Sequence, residues 1–184
     1  MNIIYPAYRN ILFLLFFLLP VFSVSSQALL GVGYGTFNIP GANTKLNGTG
    51  PTVKFEYIGY NVRTSGFLDI SYFAKTQTDT KYSYVYTQLG IKQLLGGDAD
   101  QKKVLPFLGG GVVMVFANST TSSTSNPRTI FGLDFHGGLQ YNIKPLILEL
   151  RGNIDLDFTP LEANSSVSNI MTNFKLSVLL PVSK

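Results

Sequence analysis

Two adjoining stretches in the second half of the chain alternate strictly between apolar and polar residues. Between residues 129 and 158, Phe131 and Phe135 fall on one parity, and Asp134 and His136 fall on the other. A period of two residues is the signature of a β-strand. The second stretch repeats the scheme after a short turn, with these residues on its polar parity: Glu149, Arg151, Asn153, Asp155 and Asp157. The pattern therefore predicts a hairpin with one apolar face and one charged face.

The same alternation recurs along the rest of the chain and predicts eight strands in all. Their approximate ranges are 29–37, 52–61, 66–74, 82–94, 104–117, two strands within 129–158 joined at 142–145, and 168–180. Polar loops are predicted at 38–50, 75–81, 118–127 and 159–167, short turns at 62–65 and 142–145, and a longer charged turn at 96–103. Most of these strands have the length that crosses a bilayer at a tilt.

Two strands depart from simple alternation. In the fourth, Lys92 shares its parity with several tyrosines, so the pattern leaves open whether that face points into or out of the barrel. We place Lys92 inside. The fifth is apolar on both parities and contains three consecutive glycines, 109–111, which leave room inside a narrow barrel or allow a bend.

The N-terminus has the order of a secretory signal peptide. Arg9 precedes the apolar run 11–22, and the small residues Ser26 and Ala28 follow it. The apolar run is shorter than the roughly 20 residues that a spanning helix needs, so cleavage is favoured over a membrane anchor. We therefore predict a signal peptide at 1–28 and one exported domain at 29–184.

Composition narrows the classes of function. The chain of 184 residues is 45% hydrophobic and only 13% charged, and its net charge of +4 is scattered without a basic run, which argues against nucleic acid as a partner. The absence of cysteine excludes disulfides, thiolate catalysis and cysteine-bound zinc.

Three segments carry a resemblance to a known group of proteins. They are 106–111, 132–141 and 148–151, whose sequences are Pro-Phe-Leu-Gly-Gly-Gly, Gly-Leu-Asp-Phe-His-Gly-Gly-Leu-Gln-Tyr and Leu-Glu-Leu-Arg. With these, the chain resembles the small eight-stranded outer-membrane barrels of the OmpX, OmpW and OmpA type from Gram-negative bacteria. The resemblance implies an all-β, antiparallel, up-and-down transmembrane barrel in the outer membrane, inserted by the barrel-insertion machinery and monomeric.

For function, the resemblance implies a non-enzymatic structural, adhesive or envelope role, with a surface ligand or a host or cell contact made through the four polar loops. One alternative is a porin-like or OmpW-like passage for small or hydrophobic solutes. Another is a secreted soluble barrel of the lipocalin kind, which keeps its apolar parity inside. Alternation alone cannot orient the faces, although lipocalins carry a Gly-x-Trp motif and this chain has no tryptophan.

If the apolar parity faces lipid, an inward set of charged residues must fill the lumen. It comprises Lys54, Glu56, Asp69, Lys92, Asp134, His136, Glu149, Arg151, Asp155 and Lys175. Buried charges must pair, so we expect a structural network of cross-strand ion pairs. No catalytic, cofactor or metal site is predicted. His136, the only histidine, lies mid-strand beside glycines with no nearby serine, so we expect it to be an interior residue.

Overall fold

The computed structural model describes residues 27–39, 46–59, 63–77, 80–96, 103–120, 125–158 and 170–182. They form eight β-strands: β1 (Gln27–Ile39), β2 (Leu46–Ile58), β3 (Thr64–Gln77), β4 (Thr80–Leu94), β5 (Val104–Thr120), β6 (Ser125–Ile143), β7 (Leu146–Asp157) and β8 (Ile170–Pro181). No helix among the described residues is long and apolar enough to cross a membrane. Residues 1–26 of the predicted signal peptide lie outside the described residues. Strand β1 begins at Gln27, two residues before the predicted mature domain at 29–184.

The strands form a closed antiparallel barrel in which each pairs with its neighbours in sequence and β1 pairs with β8. The prediction of an eight-stranded up-and-down barrel is confirmed. We call the end where β1 begins and β8 ends the turn end, and the opposite end the loop end. At the turn end, β6 and β7 are joined by a tight turn at 144–145.

The predicted loops are partly wrong. Much of 38–50 belongs to β1 and β2, most of 75–81 belongs to β3 and β4, and 118–127 is largely β5 and β6. Gly, Asn, Ser and Thr favour loops locally, but a closed barrel offers the backbone a hydrogen-bonding partner on both sides, and this ladder overrides the local preference. The predicted loop 159–167 lies outside the described residues.

The predicted difference between long polar loops and short turns fails at one loop, since the β3–β4 connection at 78–79 is as short as the turn at 144–145. Pro51 is accommodated inside β2. The β2–β3 register is interrupted between the pair of Thr49 with Ala74 and the pair of Thr52 with Ser71, where neither Gly50 nor Pro51 is paired. Pro51 has no N–H to donate to a ladder.

The two faces of the barrel wall differ sharply. Large apolar side chains point outward, among them Ile91 (64% exposed), Phe174 (62%), Phe135 (54%) and Leu150 (51%). Charged and amide side chains point into the lumen. The orientation that alternation left open is thus apolar outside and polar inside, the reverse of a lipocalin.

The β4 tyrosines lie on the same side as Lys92. Tyr84, Tyr86 and Lys92 are all buried in the lumen, whereas Val85 and Ile91 are exposed outside. The apolar inner parity of β5 is also explained, because Leu105, Phe107, Val113 and Val115 fill the lumen near its two ends.

Candidate functional site

All ten residues of the predicted inner set lie buried in the lumen, and His136 is the most exposed of them at 4%. They come from six strands and form three connected groups, described below from the turn end upward. The predicted inner set left out further buried polar residues on the same parity: Thr52, Ser65, Ser71, Gln88, Gln140, Asn153, Asp157, Asn173 and Ser177. Alternation had already placed Asn153 and Asp157 on the charged face of their strand, and the set was limited to ionisable groups that the pattern made most conspicuous.

The first group is a square of alternating charges from β2, β4 and β7. Lys54 Nζ lies 2.6 Å from Glu149 Oε1 and 2.7 Å from Glu56 Oε2. Lys92 Nζ lies 2.8 Å from Glu56 Oε1 and 2.5 Å from Glu149 Oε2. Ser65 Oγ donates to Glu56 Oε1 at 2.7 Å. Each ammonium therefore meets both carboxylates, which is the arrangement that makes burial of four charges tolerable.

The second group centres on Asp69 of β3. Lys175 Nζ donates to Asp69 Oδ1 at 2.9 Å, and Arg151 Nη2 forms an ion pair with Asp69 Oδ2. The hydroxyl groups of Thr52 and Ser71 donate to the same Oδ1 at 2.7 and 3.0 Å. Arg151 Nε also lies 3.9 Å from Glu149 Oε1, so Arg151 links this group to the charge square.

The third group contains the histidine. His136 Nδ1 contacts Asp134 Oδ2, and Asn153 Nδ2 and Gln88 Nε2 each donate to Asp134 at 2.5 Å. Asn153 lies on β7, which pairs with β6 here, and Gln88 reaches across the lumen from β4. Asp134 is thus held by side chains from three strands.

Asp155 extends this third group toward the loop end. Tyr86 OH donates to both Asp155 oxygens at 3.0 Å, and Asn173 Nδ2 donates to Oδ2 at 3.3 Å. Asp134 and Asp155 are directly paired across β6 and β7. The donors around Asp155 are neutral, unlike those of the first two groups.

The geometry around His136 does not resemble a hydrolytic triad. Its Nδ1 is occupied by Asp134, its Nε2 is buried without a hydrogen-bond partner in the described part of the chain, and its ring packs edge-on against Phe67 at 5.1 Å. A general base needs a nucleophile within hydrogen-bond reach. Within the described ranges, no cluster of three or more His, Asp and Glu side chains is arranged to hold a metal ion.

Aromatic rings on the inner parity pack against the cations. Lys54 Nζ and Arg151 Cζ lie 4.7 and 4.8 Å from the centroid of Phe67. Lys175 Nζ lies 4.3 Å from the ring of Tyr86. These distances are within the range of cation–π attraction. Phe67 shares the parity of Asp69, and Tyr86 shares that of Lys92, so alternation places both rings on the inner face but does not show which cation each ring contacts.

Apolar side chains close the lumen at both ends. At the turn end, Leu29, Leu105, Phe107 and Leu179 are each no more than 1% exposed. At the loop end lies a larger cluster, whose members are Phe37, Phe73, Tyr84, Tyr86, Val113, Val115, Ala117, Ile130 and Met171. The charged groups are therefore enclosed between two apolar layers.

The closed barrel, with its apolar outer wall and filled polar lumen, is similar in fold to several solved structures. The solved structure of Neisserial surface protein A matches with a TM-score of 0.66 and 14% identity, over 85% of this chain and 99% of that one. Its fold is that of the small eight-stranded outer-membrane barrels.

Two further structures share this outer-membrane barrel fold. The attachment invasion locus protein of Yersinia pestis gives a TM-score of 0.58 at 14% identity, over 86% of this chain and 99% of that one. The N-terminal β-barrel domain of Pseudomonas aeruginosa OprF gives 0.53 at 11% identity, over 85% of this chain and 100% of that domain. Neither a protein-family model nor a curated protein matches the sequence.

Proposed function

We propose that this chain is a non-enzymatic outer-membrane protein of a Gram-negative bacterium with a structural, adhesive or envelope-maintenance role. In this proposal, residues 1–28 are a signal peptide that is removed on export. The barrel-insertion machinery then places the monomeric barrel in the outer membrane. The ten inner residues serve a structural purpose.

The observation that carries the proposal is the inversion of polarity across the wall. A continuous apolar exterior far exceeds the patches that a soluble monomer exposes, but it is the normal lipid-facing surface of a transmembrane barrel. The buried ion pairs suit the same environment, because they satisfy polar groups that cannot face lipid.

The filled lumen favours a structural role over a passage for solutes. The charge square, the Asp69 group and the two apolar ends occupy the space that a conducting path would need. Eight strands enclose an interior only wide enough for side chains. An adhesive contribution would come from the loop-end connections at 40–45, 78–79, 121–124 and 159–169.

Membrane fractionation and gel mobility test the proposal. We expect the mature protein in the outer-membrane fraction and expect its folded form to migrate differently from the boiled form. Recovery of the protein in the soluble fraction, with no shift on heating, would contradict the proposal. Retention of residues 1–28 in the mature protein would contradict only the assignment of the signal peptide.

A further inference from the structure

Two carboxyl groups face each other in the loop-end half of the lumen. Asp134 of β6 and Asp155 of β7 are directly paired across the two strands, and their carboxyl groups lie within hydrogen-bonding reach of each other. Asp134 is 1% exposed and Asp155 is 0% exposed. Two carboxylates at this separation in a buried site repel each other strongly, and a proton held between them removes the repulsion.

The two carboxyl groups differ in the donors that they meet. The oxygens of Asp134 accept hydrogen bonds of 2.5 Å from two side-chain amides, and one oxygen also contacts His136 Nδ1. The oxygens of Asp155 accept from the hydroxyl group of Tyr86 at 3.0 Å and from one side-chain amide at 3.3 Å. Hydrogen bonds donated to a carboxylate stabilise its charge. This difference favours the negative charge on Asp134 and the proton on Asp155.

The unpartnered atoms of this part of the lumen indicate which kind of ligand fits. Besides His136 Nε2, four oxygen atoms are buried without a hydrogen-bond partner among the described residues: Gln88 Oε1, Asn153 Oδ1, Asn173 Oδ1 and Asp157 Oδ1. Three of them belong to the amides whose N–H groups donate to the two aspartates, and Asp157 is the next inward residue of β7. All four are acceptors. The group can therefore take a donor or a cation, and not an anion.

A proton fits this site better than a metal ion does. The carboxyl oxygens already face N–H and O–H donors, which a metal ion would have to displace, and no three His, Asp or Glu side chains of the described ranges are arranged to hold one. A proton needs no additional space between two oxygens that are already in contact. We propose that Asp134 and Asp155 form a proton-binding site, in which Asp155 carries the proton and donates a hydrogen bond to Asp134.

The site would couple the folded barrel to pH. The other charged or titratable side chains around it in the lumen are Tyr86 of β4, His136 of β6, Asp157 and Arg151 of β7, Asp69 of β3 and Lys175 of β8. The two nearest cations, Arg151 and Lys175, are already engaged by Asp69. Only the folded chain brings the two aspartates together, so the folded state binds the proton and is stabilised by it through mass action.

Infrared spectroscopy tests for the proton directly. A protonated carboxyl group has a carbonyl stretching band that carboxylates lack, and the barrel would be recorded at neutral pH in a detergent without ester groups. We expect the band in the unmodified barrel and its loss in Asp155→Asn. Asp157→Asn, which changes the next inward carboxyl group on the same strand, is the matched control and should retain the band.

Urea unfolding, followed by gel mobility, tests where the charge lies. Asp155→Asn should keep the unfolding midpoint of the unmodified barrel, because its amide N–H donates to Asp134 as the carboxyl O–H does. Asp69→Asn, the same chemical change at a carboxylate that meets two cations, should lower the midpoint, and so should Asp134→Asn. Raising the pH should lower the midpoint of the unmodified barrel more than that of Asp155→Asn.

Three results would overturn the inference for a barrel that folds. These are the absence of the band from the unmodified barrel at neutral pH, a midpoint for Asp155→Asn as low as that for Asp69→Asn, or a midpoint of the unmodified barrel that rises with calcium chloride and falls again with a chelator. The last result would assign the site to a metal ion. The band of the unmodified barrel requires no substitution, so it decides the question even if a variant does not fold.

Discussion

At the scale of single residues, the lumen depends on each charge meeting partners from distant parts of the chain. Lys92 of β4 lies between Glu56 of β2 and Glu149 of β7, and it shares both with Lys54. Removing one member of such a group leaves a buried charge without its counterion, which costs far more than the pair itself contributes.

Lys92→Met should therefore destabilise the folded barrel by about 3–5 kcal/mol. Urea unfolding in detergent micelles, followed by gel mobility, measures this change. The matched control is Lys103→Met, an exposed lysine, which should change the free energy of unfolding by less than about 0.5 kcal/mol.

Adding Glu56→Gln to Lys92→Met should recover part of the loss, because Lys54 can then pair with Glu149 alone. The free energies of the two single variants should consequently not add. Strict additivity in this cycle would show that Lys92 and Glu56 do not interact in the folded barrel.

Gly109 provides a second test at this scale. A Cβ atom there would lie 2.2 Å from His136 Nε2 and 2.2 Å from the backbone oxygen of Ile91. Gly109→Ala should cost about 1–3 kcal/mol through overpacking. Gly66→Ala is the control, since the nearest atom to its added Cβ is the Gly90 oxygen at 3.9 Å. Equal stability of the two variants in the urea assay would mean that the His136 ring is not seated against Gly109.

At the scale of strands, parity decides which solvent a side chain meets. In β7, Leu150 points outward and is 51% exposed, whereas its neighbours Glu149 and Arg151 are each 1% exposed inside. The strands also extend beyond their local propensity into regions rich in Gly, Ser and Asn, since each receives hydrogen bonds from both neighbours.

Leu150→Arg should destabilise the barrel in a bilayer by about 2–4 kcal/mol, because it places a charge on the lipid face near the middle of a strand. Ile143→Arg, also outward but at the turn end, should cost only about 0–1 kcal/mol. Urea titration in liposomes compares the two. Small and equal costs would indicate that this face meets water.

At the scale of the whole molecule, closure and filling determine what the barrel can do. Pairing of β1 with β8 leaves no strand edge open, and the lumen contains charge groups between two apolar layers. Closure and a filled lumen support the proposed structural role over the solute-passage alternative.

Planar-bilayer recording should therefore show no regular single-channel steps for the unmodified barrel. The double variant Phe37→Ala and Phe73→Ala, which thins the loop-end cluster, should remain silent because the charged groups still fill the centre. Reproducible steps from the unmodified protein would favour the solute-passage alternative instead.

The sequence by itself determined the strands, their number, and the two sets of residues that share a face, because a period of two is a local property of the chain. The ten ionisable residues that it assigned to the inner face are buried in the lumen, and an eleventh, Asp157, was left out of that set. Strand ends were less accurate, since the residues at 46–51 or 125–127 carry loop-like composition and become strand only when neighbours pair with them.

Only the tertiary structure decided which face is inside, which charges meet, and where the lumen is apolar. The same alternation would fit a barrel with its apolar face inside. Only the closed barrel, in which one face is buried and the other exposed, shows that the polar face is the inner one. The ion pair of Lys54 with Glu149 joins residues 95 positions apart, and no local pattern specifies it. Phe67 lies against Lys54 and Arg151, and Phe107 lies against Lys92. These contacts depend on packing across the lumen and not on spacing along a strand.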